Sequence, residues 1–278
     1  MTIYTLEKKA YHIREQVIKM LLAAKSGHAA GSLGVADIMT ALYFRYLNHQ
    51  PKKPDWEGRD RFILSCGHLV PVWYATLAEA GYFDQAQLTG LRQFGSKLQG
   101  HPKRGLLPGV ENTGGPLGQG VSQAVGRALA ARLLKAKYRI VCLMSDGEQQ
   151  EGQVWEALMT ASKYKLSNLT FIVDRNNIQI DGHTEDIMPL EPLRAKYEAF
   201  GLEVLEVDGH NIKAILDCLS QAEATYEKPT IIMAHTIAGK GVSFMEQEPN
   251  WHGRAPNKEE ALRALQQLRT LEGRIEHD

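Results

Sequence analysis

Cysteine is scarce. The 278 residues hold three, Cys66, Cys142 and Cys218, an odd number set in apolar or helical contexts. That count argues against a disulfide-stapled secreted scaffold, and no zinc-ligand spacing is present; reduced, mostly buried thiols in a cytoplasmic protein are expected. An excess of either charge is lacking too. The 32 basic and 32 acidic residues cancel, so nothing favours nucleic acid or an anionic membrane as a partner. No apolar run reaches the roughly 18 residues that suggest a membrane span. The opening MTIYTLEKKAYHIREQ is charged and helix-periodic, without the apolar core of a signal peptide. Internal repeats are absent. What remains is a length sufficient for a large core, as one sizeable domain or two small ones.

The chain is organised around Tyr138–Gly182. Two apolar runs rich in β-branched residues, Arg139–Met144 and Leu169–Val173, each end in polar residues: Ser145-Asp146-Gly147-Glu148 and Asp174-Arg175-Asn176-Asn177. Between them Val154–Tyr164 places Ala157, Leu158 and Ala161 at helical spacing, so the stretch reads as a β-α-β unit. Parallel strands would bring Asp146 and Asn176 to the same carboxyl edge of a sheet. One carboxylate and one amide oxygen suit Mg²⁺ or Ca²⁺ carrying phosphate oxygens and water. Two plain turns would account for the same residues. An Asp-Gly followed one such unit later by Asn-Asn also resembles the pattern of thiamin-diphosphate enzymes, with Ser145 where Gly is more usual.

The flanking sequence predicts further alternation. A helix capped by Thr5 runs to about Lys25; Gly27–Gly34 is a glycine-rich apolar loop; a helix covers Val35–Leu47. Arg61–Ser65 is a short strand, Pro71–Ala80 and Asp84–Phe94 are helices, and Gly95–Gly120 is a long loop dominated by Gly and Pro. That loop closes with GGPLGQG before a small-residue helix, Val121–Leu134, whose N-terminus offers free N–H groups to anions. Strands follow at Leu202–Val207 and Thr230–Ala234, with helices at Ile212–Tyr226 and Lys258–Leu271. The expected fold is a single α/β domain over 1–278, a doubly wound, mostly parallel sheet with helices on both faces. Its strands end in His68, Asp146, Asn176, Asp208 with His210, and His235, where open sheets bind ligands. Five histidines, at 28, 68, 101, 210 and 252, each adjoin a glycine.

SGH at 26–28, GH at 67–68, GHP at 100–102, GGPLGQG at 114–120, DGE and a following EG within 146–152, DRNNIQIDG at 174–182, VDGHN at 207–211 and WHG at 251–253 occur in the order found in transketolases. The chain resembles that family's N-terminal, diphosphate-binding domain along nearly its whole length. The family's pyrimidine-binding and C-terminal domains have no counterpart here, so the chain looks like the N-terminal subunit of a transketolase split between two polypeptides. Two departures stand out: Ala29-Ala30-Gly31-Ser32 where many members carry proline, and Lys103-Arg104 after GHP where an acidic residue is common.

The resemblance implies thiamin diphosphate and Mg²⁺ (or Ca²⁺ or Mn²⁺) as cofactors. Asp146, Asn176 and the Ile178 carbonyl would hold the ion. Gly147, His68 and His252 would contact the diphosphate, and Gly115 with Leu117 would line the aminopyrimidine. His28 and His101 would meet sugar hydroxyls, and Glu151 would sit near an interface linking two active sites. His210 stays outside this set, because a His after Asp-Gly can simply stabilise its turn. The implied reaction moves a two-carbon ketol unit from a ketose to an aldose, with both sugars expected to be phosphorylated. The carboxylate that activates the cofactor belongs, in the family, to the pyrimidine domain. A partner chain carrying that domain is therefore expected, two copies of each, with a buried interface above about 2,000 Å². The rival readings are an α subunit of a 2-oxo-acid dehydrogenase and a non-catalytic scaffold. The histidines and GGPLGQG disfavour the first, and the intact metal residues the second.

Overall fold

The computed structural model describes residues 1–275, with side chains to 271. Its centre is a five-stranded sheet: β1 (Arg61–Leu64), β2 (Ile140–Ser145), β3 (Leu169–Arg175), β6 (Glu203–Asp208) and β7 (Thr230–His235). The order across the sheet is β1-β2-β3-β7-β6, and every pairing is parallel. All five strands lie where the sequence predicts them. The continuous burial of β1, β2 and β3 follows from having helices on both sides, which is why they read as unbroken apolar runs rather than alternating ones. A two-stranded hairpin, β4 (Ile178–Gln179) with β5 (Gly182–His183), follows β3.

Alternate strand residues feed two cores. Val141, Leu143, Ile172 and Ile232 pack under helices α1 (Ile3–Ala24), α2 (Ala30–Gly34), α3 (Ala36–Ala41), α4 (Val70–Glu79), α9 (Ile212–Glu223) and α10 (Lys258–Ile275). Cys142, Met144, Phe171 and Val173 face α5 (Gln119–Leu133), α6 (Gly152–Lys163) and α8 (Leu193–Ala199). The short α7 (Thr184–Ile187) closes the hairpin. Each fully buried Leu, Ile or Phe here contributes about 1.5–3 kcal/mol of transfer free energy. All three cysteines are buried and unpaired.

Several local expectations are corrected. Helix α1 starts at Ile3 and is capped by Thr2, whose Oγ1 accepts the Thr5 N–H at 3.2 Å; Thr5 is inside the helix. The predicted loop Gly27–Gly34 is half helix, because α2 is entirely buried and its small residues let it pack tightly: a Cβ at Gly31 would lie 2.5 Å from Leu69 Cδ2. The predicted helix 35–47 is the six-residue α3 followed by a wider helical turn over Leu42–Tyr46. Asp84 does cap, accepting from Ala86 N at 2.9 Å, but only a 3-10 run over Gln85–Gly90 follows. Hairpin β4-β5, α7 and α8 carry no periodic apolar signal, and the sequence pattern does not predict them.

The long loop is anchored to the edge of the sheet. Strand β1 would otherwise present unpaired backbone groups at that edge. Asn112, 1% exposed, takes the place of a sixth strand: its Nδ2 donates to Leu64 O at 3.0 Å, and its Oδ1 accepts from Leu64 N at 3.1 Å. Beside it, Glu111 accepts both Arg59 Nε at 2.9 Å and Nη2 at 3.1 Å. Replacing Asn112 by Ala leaves a buried donor and acceptor unmet, so Asn112→Ala should lower the unfolding free energy by about 2 kcal/mol. Urea unfolding monitored by circular dichroism measures it; a change under about half a kcal/mol would show the loop is held by other contacts.

Candidate functional site

The parallel register sets the site. Ser145 pairs with Asp174, and Arg175 pairs with His235, so the ends of β2, β3 and β7 stand level. Directly beyond β2, Asp146 is 0% exposed. Its Oδ1 accepts from Gly147 N at 2.7 Å; its Oδ2 accepts from Asn177 N at 2.6 Å and from Arg175 Nη1 at 3.2 Å. Asn177 reaches it because its backbone is left-handed (φ 62°). Burial pushes the Asp146 carboxyl up to about 6 even against the Arg175 charge and those amides.

Asp174, also fully buried, orients the neighbouring amide. It accepts from Asn176 Nδ2 at 2.7 Å and from the Thr236 hydroxyl. The amide nitrogen is thereby assigned, and Asn176 Oδ1 turns toward Ile178, accepting its N–H at 2.9 Å. Burial, and then the charge of Asp146, raise Asp174 to about 7. These residues fit a hard divalent ion. One carboxylate, one oriented amide oxygen and the Ile178 carbonyl are all oxygen donors, and the carboxylate is desolvated without a full counter-charge. Among the described residues no group of three or more His, Cys, Asp or Glu side chains is placed to hold a metal ion by itself. An ion held here would therefore complete its shell with phosphate oxygens and water.

Above this floor is a crevice of about 360 Å³, lined by His28, His68, His101, Gly115, Leu117, Gly147, Glu151, Ile178 and His252 among others. Every residue to which the resemblance gives a role lines it except Asp146 and Asn176, which lie buried next to Gly147 and Ile178; the strand-end residues Asp208, His210 and His235 do not line it. Hollows of about 580 Å³ beside α10 and about 640 Å³ near the N-terminus are larger, but neither gathers such groups. Size alone is a poor guide here; convergence of polar groups from several strand ends is the better one. Close loop crossings need glycine: a Cβ at Gly67 would meet Gly115 N at 3.0 Å, and one at Gly147 would meet Gln179 Cβ at 2.8 Å.

The rings of His28, His68 and His252 form a cluster, with centroids 5.0, 5.5 and 5.1 Å apart. Burial lowers all four crevice imidazoles. His28 falls to about 4, with His252, Arg92 and His101 adding repulsion, and His68 falls well below its ordinary value. Each is thus neutral at pH 7, carrying one donor and one acceptor nitrogen. His28 Nδ1 is buried with no hydrogen-bond partner, a polar atom that a bound hydroxyl would satisfy. His210 is turned elsewhere: Nδ1 meets Asp37 Oδ2 at 2.8 Å and Nε2 accepts from Ile237 N at 2.8 Å.

Two residues escape sequence reasoning. Glu148 is fully buried and accepts from Ser65 Oγ, from Gly118 N at 2.6 Å and from Ser145 N at 3.1 Å. It draws the GGPLGQG loop onto the end of β2, and burial lifts its carboxyl to about 7. Arg175, buried as well, links Asp146 to Thr184 at 3.0 Å and to Glu185 and Glu191, each at 2.9 Å, on the segment after the hairpin. A charged residue inside an apolar strand-turn context is the available signal for both.

Comparison with known proteins agrees with this geometry. Residues 6–273 match the family described as transketolase, thiamine diphosphate binding domain. An apulose-4-phosphate transketolase subunit of Phocaeicola vulgatus is 41% identical over 268 residues, 96% of this chain and 95% of that one. A 6-deoxy-6-sulfo-D-fructose transketolase subunit of a Clostridium species is 42% identical, covering 87% of this chain and 88% of its own. The solved transketolase of Leishmania mexicana superposes with a TM-score of 0.89 at 32% identity, over 98% of this chain but 45% of that longer one. This chain thus spans nearly all of the subunit-sized relatives and under half of the Leishmania transketolase.

The neutral imidazoles carry a pH signature. His28 has a folded value near 4 against about 6.5 unfolded. Between those values the unfolded chain binds the extra proton, so this contribution to stability is complete above about pH 6.5 and is lost as pH falls toward 4. His28→Gln should therefore gain stability relative to the parent between pH 7 and pH 5. Paired urea midpoints at the two pH values decide it, and an unchanged or reversed difference would mean that His28 is not buried neutral.

Proposed function

The chain belongs to the transketolase family, as its thiamine diphosphate binding domain, and on that premise we propose that it is the N-terminal subunit of a two-chain transketolase. Its reaction is transfer of a two-carbon ketol unit between phosphorylated sugars. The observation carrying this reading is the convergence of four neutral histidines on one crevice above a buried Asp146–Asn176 oxygen pair. Names of the relatives as subunits, and the match to almost their full length, support a partner chain.

In this reading Asp146, Asn176 Oδ1 and the Ile178 carbonyl hold a divalent ion, Mg²⁺ by donor type. His68, His252 and Gly147 would contact the diphosphate, while Gly115 and Leu117 would border the aminopyrimidine. Thiamin diphosphate supplies the nucleophilic carbon that makes ketol transfer feasible. The chain's own task is placement and proton handling. His28 and His101 accept hydrogen bonds from the sugar hydroxyls and hold or release a proton there. Burial lowers both rings, and a neighbouring diphosphate would make their charged form easier to reach. Glu148 keeps the GGPLGQG loop seated while this occurs. Glu151 lies at the rim, where the proposed second copy of the assembly meets the first. The carboxylate facing the aminopyrimidine comes from the partner's pyrimidine domain, and two copies of each chain complete the closed symmetric assembly.

Loss of the charged ligand should outweigh loss of the neutral one. Asp146→Ala is expected to abolish Mg²⁺-dependent thiamin diphosphate binding and Asn176→Ala to weaken it severely, with far-UV circular dichroism unchanged. Calorimetric titration of the assembled enzyme reads this, and retained affinity in Asp146→Ala would remove the metal assignment. Histidines should separate into two groups. His28→Ala and His101→Ala should lower turnover while sparing cofactor affinity, and His68→Ala should do the opposite; the reverse pattern would exchange their roles. Alone, the 278-residue chain should show no ketol transfer, with activity appearing on addition of a pyrimidine-domain chain and saturating near one-to-one. Full activity from the purified chain would refute the two-chain reading.

A further inference from the structure

Arg92 stands between the 3-10 turn and the long loop, in a left-handed conformation (φ 58°) that non-glycine residues adopt only when the surrounding chain imposes it. Here the imposition is visible. Its N–H donates to Leu98 O at 2.9 Å, and Leu91 and Leu98 on either side of the turn are buried. The turn lays the guanidinium against two glycines from separate loops. A Cβ on Gly100 would lie 2.8 Å from Arg92 Nε and 2.9 Å from Cζ, and one on Gly27 would lie 3.8 Å from Nε. These glycines immediately precede His101 and His28.

An exposed arginine is ordinarily solvated or paired with a carboxylate. Among the described residues none of the hydrogen bonds or ion pairs involves the Arg92 side chain. Its charge acts instead on imidazoles: after burial it is the next cause lowering His101, and it contributes to lowering His28. Among the described residues this cation has no paired carboxylate, and it lies against the turns that carry His101 and His28, whose ring Nδ1 has no partner; an anionic, hydroxyl-bearing ligand would complete that arrangement.

We propose that Arg92 is an anion subsite beside the two turns that carry His28 and His101, binding the phosphate of a phosphorylated sugar whose hydroxyls meet those two rings. A guanidinium presents paired N–H donors that match phosphate oxygens. Gly100 leaves the guanidinium the room it needs, since any side chain there would displace it. The chain thereby supplies phosphate recognition of its own, in addition to whatever its partner provides. The identity of the ligand as a sugar rests on the ketol-transfer reading; the affinity for phosphate does not.

The test separates the two. Histidine ring proton resonances of the full chain are followed at pH 7 during titration with inorganic phosphate, in the parent, in Arg92→Lys and in Arg92→Asn. Asn removes the charge and tolerates the left-handed backbone. Saturable shifts of His28 and His101 in the parent, weakened in Arg92→Lys and absent in Arg92→Asn, are expected. No saturable shift in the parent, or the same shift in Arg92→Asn, overturns the subsite. In the assembled enzyme, Arg92→Asn should raise KM for a ketose phosphate about tenfold and leave that of the unphosphorylated ketose within about twofold. Equal effects on both substrates overturn phosphate recognition by Arg92. The expected phosphate shifts, with no ketol transfer by the assembled enzyme, would support the subsite and defeat the ketol-transfer reading instead.

Discussion

Three carboxylates with no contact with water, Asp146, Asp174 and Glu148, hold the carboxyl edge of the sheet together. Burying an ionised group is costly unless every lone pair finds a donor. These donors come from distant points of the chain: Ser65 after β1, Gly118 before α5, Asn177 and Asn176 after β3, Thr236 after β7. The strand ends are therefore cross-linked through hydrogen bonds to buried carboxyl groups. Removing one partner would leave a buried carboxylate short of hydrogen bonds, so the loops above the sheet are tied to one another through these groups.

The same burial explains the crevice. Its raised carboxylates and lowered imidazoles are two responses to one environment, since desolvation disfavours the charged form of each. Neighbouring groups then modify that response. Arg175 opposes the rise of Asp146, Asp146 adds to the rise of Asp174, and Arg92 adds to the fall of His28. A divalent cation on the floor and a diphosphate above it would reverse both tendencies at once. A site already arranged for a charged ligand loses little in reorganisation when that ligand arrives.

Parallel pairing brings strand ends level, and the loops that follow them carry the functional groups while the sheet carries the packing. Asn112 extends the arrangement to the edge, where a side-chain amide substitutes for a neighbouring strand and fixes the long loop that leads to Gly115 and Leu117. Helix α2, which begins two residues after His28, packs closely on Leu69 through Gly31, and the His28 ring stands against His68 and His252.

Strand identity, helix periodicity and the Gly-flanked histidines were legible in the sequence because they depend on local composition and short spacing. Arg139–Met144 and Leu169–Val173 could be read as parallel strands, and from that alone Asp146 and Asn176 could be brought to one edge. Other features were not legible. Nothing local distinguishes Glu148 as a buried acceptor, because two of its donors lie 83 and 30 residues away. Thr5 looks like a cap as much as Thr2 does, and the choice is made by where α1 meets the core. The helical half of the Gly27–Gly34 segment, the interrupted helix over 35–47 and the placement of the Arg92 guanidinium against Gly27 and Gly100 likewise arise from contacts between segments remote in the chain. Sequence determined which elements form and which chemical groups end them, since those follow from side-chain pattern; tertiary structure alone decided which of those groups lose water and meet, since desolvation and pairing depend on neighbours that only folding brings together.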